Sequence, residues 1–250
     1  MTGLVRDLQE RAARALPAEH VERDGGWWLR HAPGCGWWVG TVLPHGGVPP
    51  DDLSARVARA EAFHARHGTP ARFQLTPGAC PVGLDAALAA RDYRWLGPMS
   101  LQVAPAAHVA HRAPVGSLPV RLADDPPSAL LDAWLAVHAG DGDLRAQRAM
   151  LDRVAAPSAY ACALLDGDVV AVGRAVADGG WAGVFDMATR PEARGRGAAR
   201  GVLGALAGWA DRRGAGRLYL QVERSNAPAL RLYGRAGFTE ICAYHYRTAG

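Results

Sequence analysis

Short apolar runs of strand character alternate with amphipathic runs of helical period, and along this chain of 250 residues the alternation happens twice. A chain that interleaves the two element types must pack helices against a sheet, so the fold class is α/β (α+β). In the first passage, residues 4–16 read as a helix, 26–31 and 37–43 as strands, and 51–67 as a helix capped by Asp51 or Asp52. A strand at 72–76, a helix at 84–91 and an extended stretch at 99–103 complete it. Residues 104–119, APAAHVAHRAPVGSLP, carry no clear period and read as a linker. The second passage is longer. It reads as a strand (120–123), two helices (128–139, 144–154), a hairpin (159–165 and 169–176) and a strand (181–189). A helix (197–213), a strand (217–223), a helix (227–235) and a last extended segment (238–247) follow. The expected division is therefore residues 1–115 and 116–250.

The two passages superpose. FQL at 73–75 followed by LDAALAARDYR parallels LQV at 220–222 followed by RLYGRAGF, with Tyr93 falling where Phe238 falls and Leu88 where Tyr233 falls. This is the mark of an internal duplication. The first copy lacks the stretch Arg194-Gly195-Arg196-Gly197, so it lacks what that stretch does.

Composition narrows the choice of chemistry. All 28 basic residues are arginine, set against 24 acids for a net charge of +4, and they are dispersed along helices. That distribution describes a solvated surface and no nucleic-acid partner. Apolar residues at 49% and charged ones at 21% exclude intrinsic disorder. No apolar run reaches about 18 residues, so no membrane span is expected. Residues 1–17 read as a charged amphipathic helix and not as a secretory leader. Cys35, Cys80, Cys162 and Cys242 stand isolated, without the paired spacing of a metal site. A cytoplasmic, metal-free protein is the expectation. Asn226 is the single asparagine of the chain.

The chemistry-bearing residues gather between 187 and 238. The strand ending at Thr189 turns at Pro191 into Arg194-Gly195-Arg196-Gly197-Ala198-Ala199-Arg200, which opens a helix. A helix start leaves backbone N–H groups without intrahelical acceptors, with the positive end of the dipole behind them. Glycine lets an anion approach those groups and permits positive φ, and flanking arginines add charge-assisted contacts. The loop suits a phosphate group. A dinucleotide fold would place Gly-x-Gly-x-x-Gly after its first strand, and a P-loop needs a lysine that this chain does not contain.

These residues resemble the GNAT superfamily of acyl-CoA-dependent N-acyltransferases. Arg194-x-x-Gly197-x-Ala199 is similar to that superfamily's Arg/Gln-x-x-Gly-x-Gly/Ala signature, with Pro191 upstream. The run from Asn226 through Leu232-Tyr233 to Gly237-Phe238 is similar to its second signature. The resemblance covers residues 120–247, and the first half resembles a degenerate copy, as in tandem members. It implies two GNAT-like domains, each a mixed, mostly antiparallel central sheet flanked by helices, with acetyl-CoA as donor. It also implies that the backbone of Met187, Ala188 and Thr189 holds the pantetheine arm. The N–H groups of Arg194, Gly195, Arg196, Gly197, Ala198, Ala199 and Arg200 would hold the pyrophosphate, with Asn226 and Tyr233 beside the donor.

Mechanism follows from the acceptor. A lysine-like amine is neutral at pH 7 in only about one molecule in 2,500, a deficit of about 4.6 kcal/mol that a base or a dry site must offset. By family analogy Tyr233 is the general acid, against its plain reading as a packing residue. Asn226 has the plain reading of a helix cap. Glu223 and Asp186 are the candidate bases, with His138, His245 and a water relay behind them. Asp141 and Asp143, in the loop between helices, border the acceptor side or are simply solvated. Trp27, Trp28, Trp37 and Trp38 read as core packing in neighbouring strands, or as an aromatic wall for the acceptor. The expected activity is transfer of an acetyl group to a small-molecule amine by a monomer or homodimer. A protein or peptide amine, and a binding module that holds acyl-CoA without turnover, are the alternatives.

Overall fold

The structure, a computed structural model, describes residues 2–114, 116, 118–124, 128–139 and 143–250. The chain forms two compact units that are not contiguous in sequence. The first comprises Met1–Leu101, Glu223–Ser225 and Ile241–Gly250; the second, Gln102–Val222 and Asn226–Glu240.

In the first unit, α1 (Thr2–Ala15) precedes the hairpin of β1 (His20–Asp24) and β2 (Trp27–His31), whose second strand pairs with the short β3 (Leu43–Pro44). After α2 (Pro50–Arg66) come β4 (Arg72–Leu75) and α3 (Leu84–Ala89), then β5 (Arg94–Pro105), which runs on into the second unit. The last strand of the chain, β11 (Thr239–Thr248), pairs antiparallel with β4, and most of it belongs to this unit. Trp27, Leu29, Phe63, Phe73, Leu84, Leu88 and Tyr93 build the core from alternate strand positions and the inner faces of α2 and α3.

Two expectations fail here. Residues 37–43 do not form a strand, because Trp37–Gly40 is a turn in which the Val39 N–H donates to Gly36 O at 2.9 Å. Gly40 lies so close to β2 that a Cβ there would sit 3.2 Å from Ala32 N. α2 is not capped by an aspartate side chain either. Pro49 is its N-cap, while Asp51 and Asp52 occupy the first turn, where they complement the dipole.

The second unit contains α4 (Ala106–Arg112), β6 (Val120–Ala123), α5 (Ser128–Ala139), α6 (Leu144–Asp152), β7 (Ser158–Leu165), β8 (Asp168–Asp178), β9 (Trp181–Thr189), α7 (Ala198–Arg212), β10 (Arg217–Glu223) and α8 (Ala227–Ala236). The strand order β10-β9-β8-β7-β6 is antiparallel except for the parallel pair β9–β10, which α7 connects. α7 buries Val202, Leu203, Leu206, Ala207 and Ala210 on the sheet. The expected linker is partly wrong: its first half is α4, and it packs so closely on α7 that a Cβ on Gly204 would lie 1.7 Å from Ala113 O. The segment AAHVAHR is rich in good helix formers, a signal that its flanking prolines mask. Asp143 caps α6 by accepting the Ala146 N–H at 3.0 Å. Asp141 lies outside the described residues. Among the described residues, no helix is long and apolar enough to cross a membrane.

Candidate active site

The sheet of the second unit opens along one line. Parallel pairing joins Arg217–Tyr219 to Trp181–Gly183 and stops there, so from Val184 onward β9 is laddered only on its β8 side. Burial changes at the same place: residues 182–185 are buried and 186–189 half-buried. Alternate N–H and C=O groups of β9 face the open side, and an extended ligand chain can pair with them as a strand would. Met187, Ala188 and Thr189 lie on this stretch.

A β-bulge marks the start of the opening. Val172 pairs with Ala188 but Arg174 pairs with Phe185, so Asp186 and Met187 together oppose Gly173. Asp186 takes the left-handed conformation at φ 57°. A Cβ at Gly173 would lie 2.4 Å from Met187 Sδ and 2.9 Å from Val202 Cγ1, so any larger residue must displace these side chains.

At its carboxyl end β9 runs through Pro191–Ala193 into the glycine loop. Gly195 and Gly197 have φ of 75° and 83°, and Gly197 is the N-cap of α7 with no side chain capping the helix. A Cβ at Gly195 would meet nothing within 4 Å, so the space in front of the loop is open. Arg190, Arg194, Arg196 and Arg200 are exposed around it, and Ala198 and Ala199 begin the helix. Helix-start N–H groups, positive dipole and exposed cations converge here, and this donor set fits the phosphates of a nucleotide-bearing cosubstrate.

Tyr233 is buried on α8 within the core of this unit, edge-on to Phe238 at 5.7 Å. Burial pushes its phenol up to about 12, so it is protonated at any physiological pH. Asn226 is the N-cap of α8, accepting the Ala229 N–H at 3.1 Å. Glu223 is exposed at the end of β10, accepts the Ser225 hydroxyl at 3.2 Å, and clusters with the first unit.

Asp186 accepts Arg174 Nε at 2.8 Å, and His138 Nε2 stands 3.6 Å from its other oxygen. Burial raises its pKa, but the Arg174 guanidinium and then His138 outweigh it and hold the carboxyl below its usual range. Arg174 is itself fully buried, over the Phe185 ring at 5.3 Å. Sequence reasoning missed Arg174 and the bulge; a buried arginine in an otherwise apolar strand, VVAVGRAVA, was the available signal. His245 pairs with Asp85 at 3.1 Å in the first unit.

A model of the acetyltransferase (GNAT) family matches residues 125–238. An uncharacterized N-acetyltransferase of Bacillus subtilis (strain 168), YobR, is 26% identical over 245 residues, covering 97% of this chain and 98% of that protein. Among solved structures, a GCN5-related N-acetyltransferase from Kribbella flavida superposes with a TM-score of 0.74 at 16% identity, over 100% of this chain and 96% of that one. A tandem GNAT protein from the clavulanic acid biosynthesis pathway gives 0.66 at 14% identity, over 99% and 87%.

Proposed function

From a GNAT acetyltransferase domain spanning residues 125–238, we propose that the enzyme takes its acetyl group from acetyl-CoA and passes it to the amine of a small molecule. The observation that carries this reading is the opening between β9 and β10, which begins beyond Gly183 and Tyr219 and leads along β9 to the glycine loop. An extended arm pairing along Met187, Ala188 and Thr189 delivers its phosphates to the N–H groups of residues 195–200 and to the loop arginines; the Arg194 N–H is taken by Pro191 O at 3.2 Å, so Arg194 contributes its guanidinium.

When bound, acetyl-CoA supplies an acyl carbon activated as a thioester. The chain's own part is positioning and proton management. An open-side N–H group of β9 near the bulge would polarise a carbonyl oxygen, whereas the Ala188 N–H faces β8, two residues before Arg190, whose N–H donates to Val170 O. Tyr233 keeps its proton and offers it to the leaving sulfur. Full transfer from a phenol near 12 to a thiolate near 8.5 would cost about 5 kcal/mol, so Tyr233 serves as a hydrogen-bond donor that strengthens as sulfur gains charge. Asp186, held as a carboxylate by Arg174, is a weak base toward an ammonium group and a strong anchor for His138. Glu223 is the second candidate base. Asn226 acts through the helix it caps, presenting Tyr233.

Release of coenzyme A thiol across a panel of small amines tests the reading. Turnover with a small amine supports it. Turnover only with peptide amines moves the acceptor to a protein, and donor binding without thiol release identifies a binding module.

A further inference from the structure

Among the described residues, each unit buries one arginine on the second strand of its hairpin, and the two have different partners. Arg174 on β8 is paired with Asp186. Arg30 on β2 is 4% exposed, and the groups that face it are Thr41, the Trp38 carbonyl, Arg23, His45 (bonded in turn to Glu10), Tyr244 and Tyr246. Its Nε donates to Thr41 O at 3.0 Å and its Nη2 to Thr41 Oγ1 at 2.9 Å and Trp38 O at 3.4 Å. All three acceptors are neutral, and no carboxylate is among its partners in the described residues. The phenols supply no charge either: burial pushes Tyr246 up to about 12 and holds Tyr244 well above the usual phenol range. A guanidinium out of water without a counter-charge is costly, and burial accordingly lowers Arg30 to about 10, still cationic at neutral pH.

A buried polar group beside Tyr246 has an unmet donor. Gln74 lies directly opposite Tyr246 in the β4–β11 pairing, is 4% exposed, and its Nε2 makes no hydrogen bond. The ring of Trp37 stands 4.9 Å from that of Tyr246, with the Arg72 guanidinium 5.7 Å from its centre. Trp37 and Trp38 leave 37% and 47% of their surface exposed in the turn whose carbonyl Arg30 binds. An unmet amide donor, a positive charge bonded to neutral acceptors and two accessible indoles thus gather around Tyr246 and the Trp37–Trp38 turn.

We propose that Arg30 and Gln74, with the Trp37–Trp38 turn, form a binding site in the first unit for a small organic anion, an apolar or aromatic body that carries a carboxylate. The carboxylate accepts from Arg30 and Gln74, and the indoles cover the body. The site is independent of the proposed donor site in the second unit.

Calorimetric titration of the full chain with benzoate, phenylacetate and indole-3-acetate, and with neutral phenylacetamide, tests it. At least one acid is expected to bind one to one with a dissociation constant at or below about 1 mM. That acid should bind at least tenfold tighter than phenylacetamide, with saturating coenzyme A leaving its affinity unchanged. Arg30→Gln should weaken it at least tenfold. Should that variant not fold, Trp38→Ala, at a half-exposed position, should still abolish binding with Tm unchanged, and Gln74→Leu should lose affinity while raising the Tm of the unliganded protein. Binding of none of the three acids, equal binding of acid and amide, or displacement by coenzyme A would overturn the proposal.

Discussion

Tyr233 and Asp186 illustrate how neighbouring charge, or its lack, sets the proton state of a buried group. Burial alone lifts Tyr233, whereas the carboxyl of Asp186 is lowered because Arg174 and His138 outweigh burial. Replacing Tyr233 with Phe should cut kcat about 100-fold with little effect on donor affinity, and steady-state kinetics beside donor titration reads both. Equal kcat in the variant would remove the phenol from the mechanism. Asp186→Asn removes the carboxylate charge beside the buried Arg174 guanidinium and should cost about 3 kcal/mol at pH 7. A carboxyl lowered in the fold contributes stability above its unfolded value, lost as pH falls through the folded one. The penalty should therefore shrink below about pH 4, as urea unfolding at two pH values would show. The places of Asn226 at the N-cap of α8 and of Tyr233 on that helix were legible in the sequence because their spacing is local. The partnership of Arg174, Asp186 and His138 was not, because it joins α5, β8 and β9 through a bulge that no pattern of alternation signals.

At the scale of elements, β9 and α7 do most of the work. Strands 181–189 and 217–223 were legible to the residue because glycine pairs and polar turns bracket them, yet the premature end of their pairing was not, since separation of strands leaves no trace in hydropathy. The linker and the strand at 37–43 were misread where prolines and glycines punctuate otherwise regular patterns. Gly173→Val should destabilise the second unit by about 2 kcal/mol, because its branches would enter the space of Met187, Val202 and Leu206. Thermal unfolding measures this, and an unchanged Tm would show that the bulge relaxes freely.

For the whole molecule, the two units interleave along the chain. A cut at residue 116 would leave β11 without β4, its antiparallel partner. A fragment of residues 116–250 should therefore expose apolar surface and aggregate, and a soluble, fully active fragment would contradict the assignment of the last strand. The first unit also carries its own acid sensitivity. Burial chiefly, then His31, Arg72 and His67, lower His64 to about 4, so the folded state resists its protonation. Stability on this account is complete above about pH 6.5 and declines as pH falls toward 4. Tm should drop by several degrees between pH 7 and pH 5, and less in His64→Leu.

The central claim, that the β9–β10 opening and the glycine loop hold acetyl-CoA, is tested most directly by calorimetric titration of acetyl-CoA into the wild-type chain and into Gly197→Glu. The variant sets a carboxylate where phosphate is to sit. One-to-one binding by the wild type and none by the variant is the predicted result; equal binding by both would contradict the assignment.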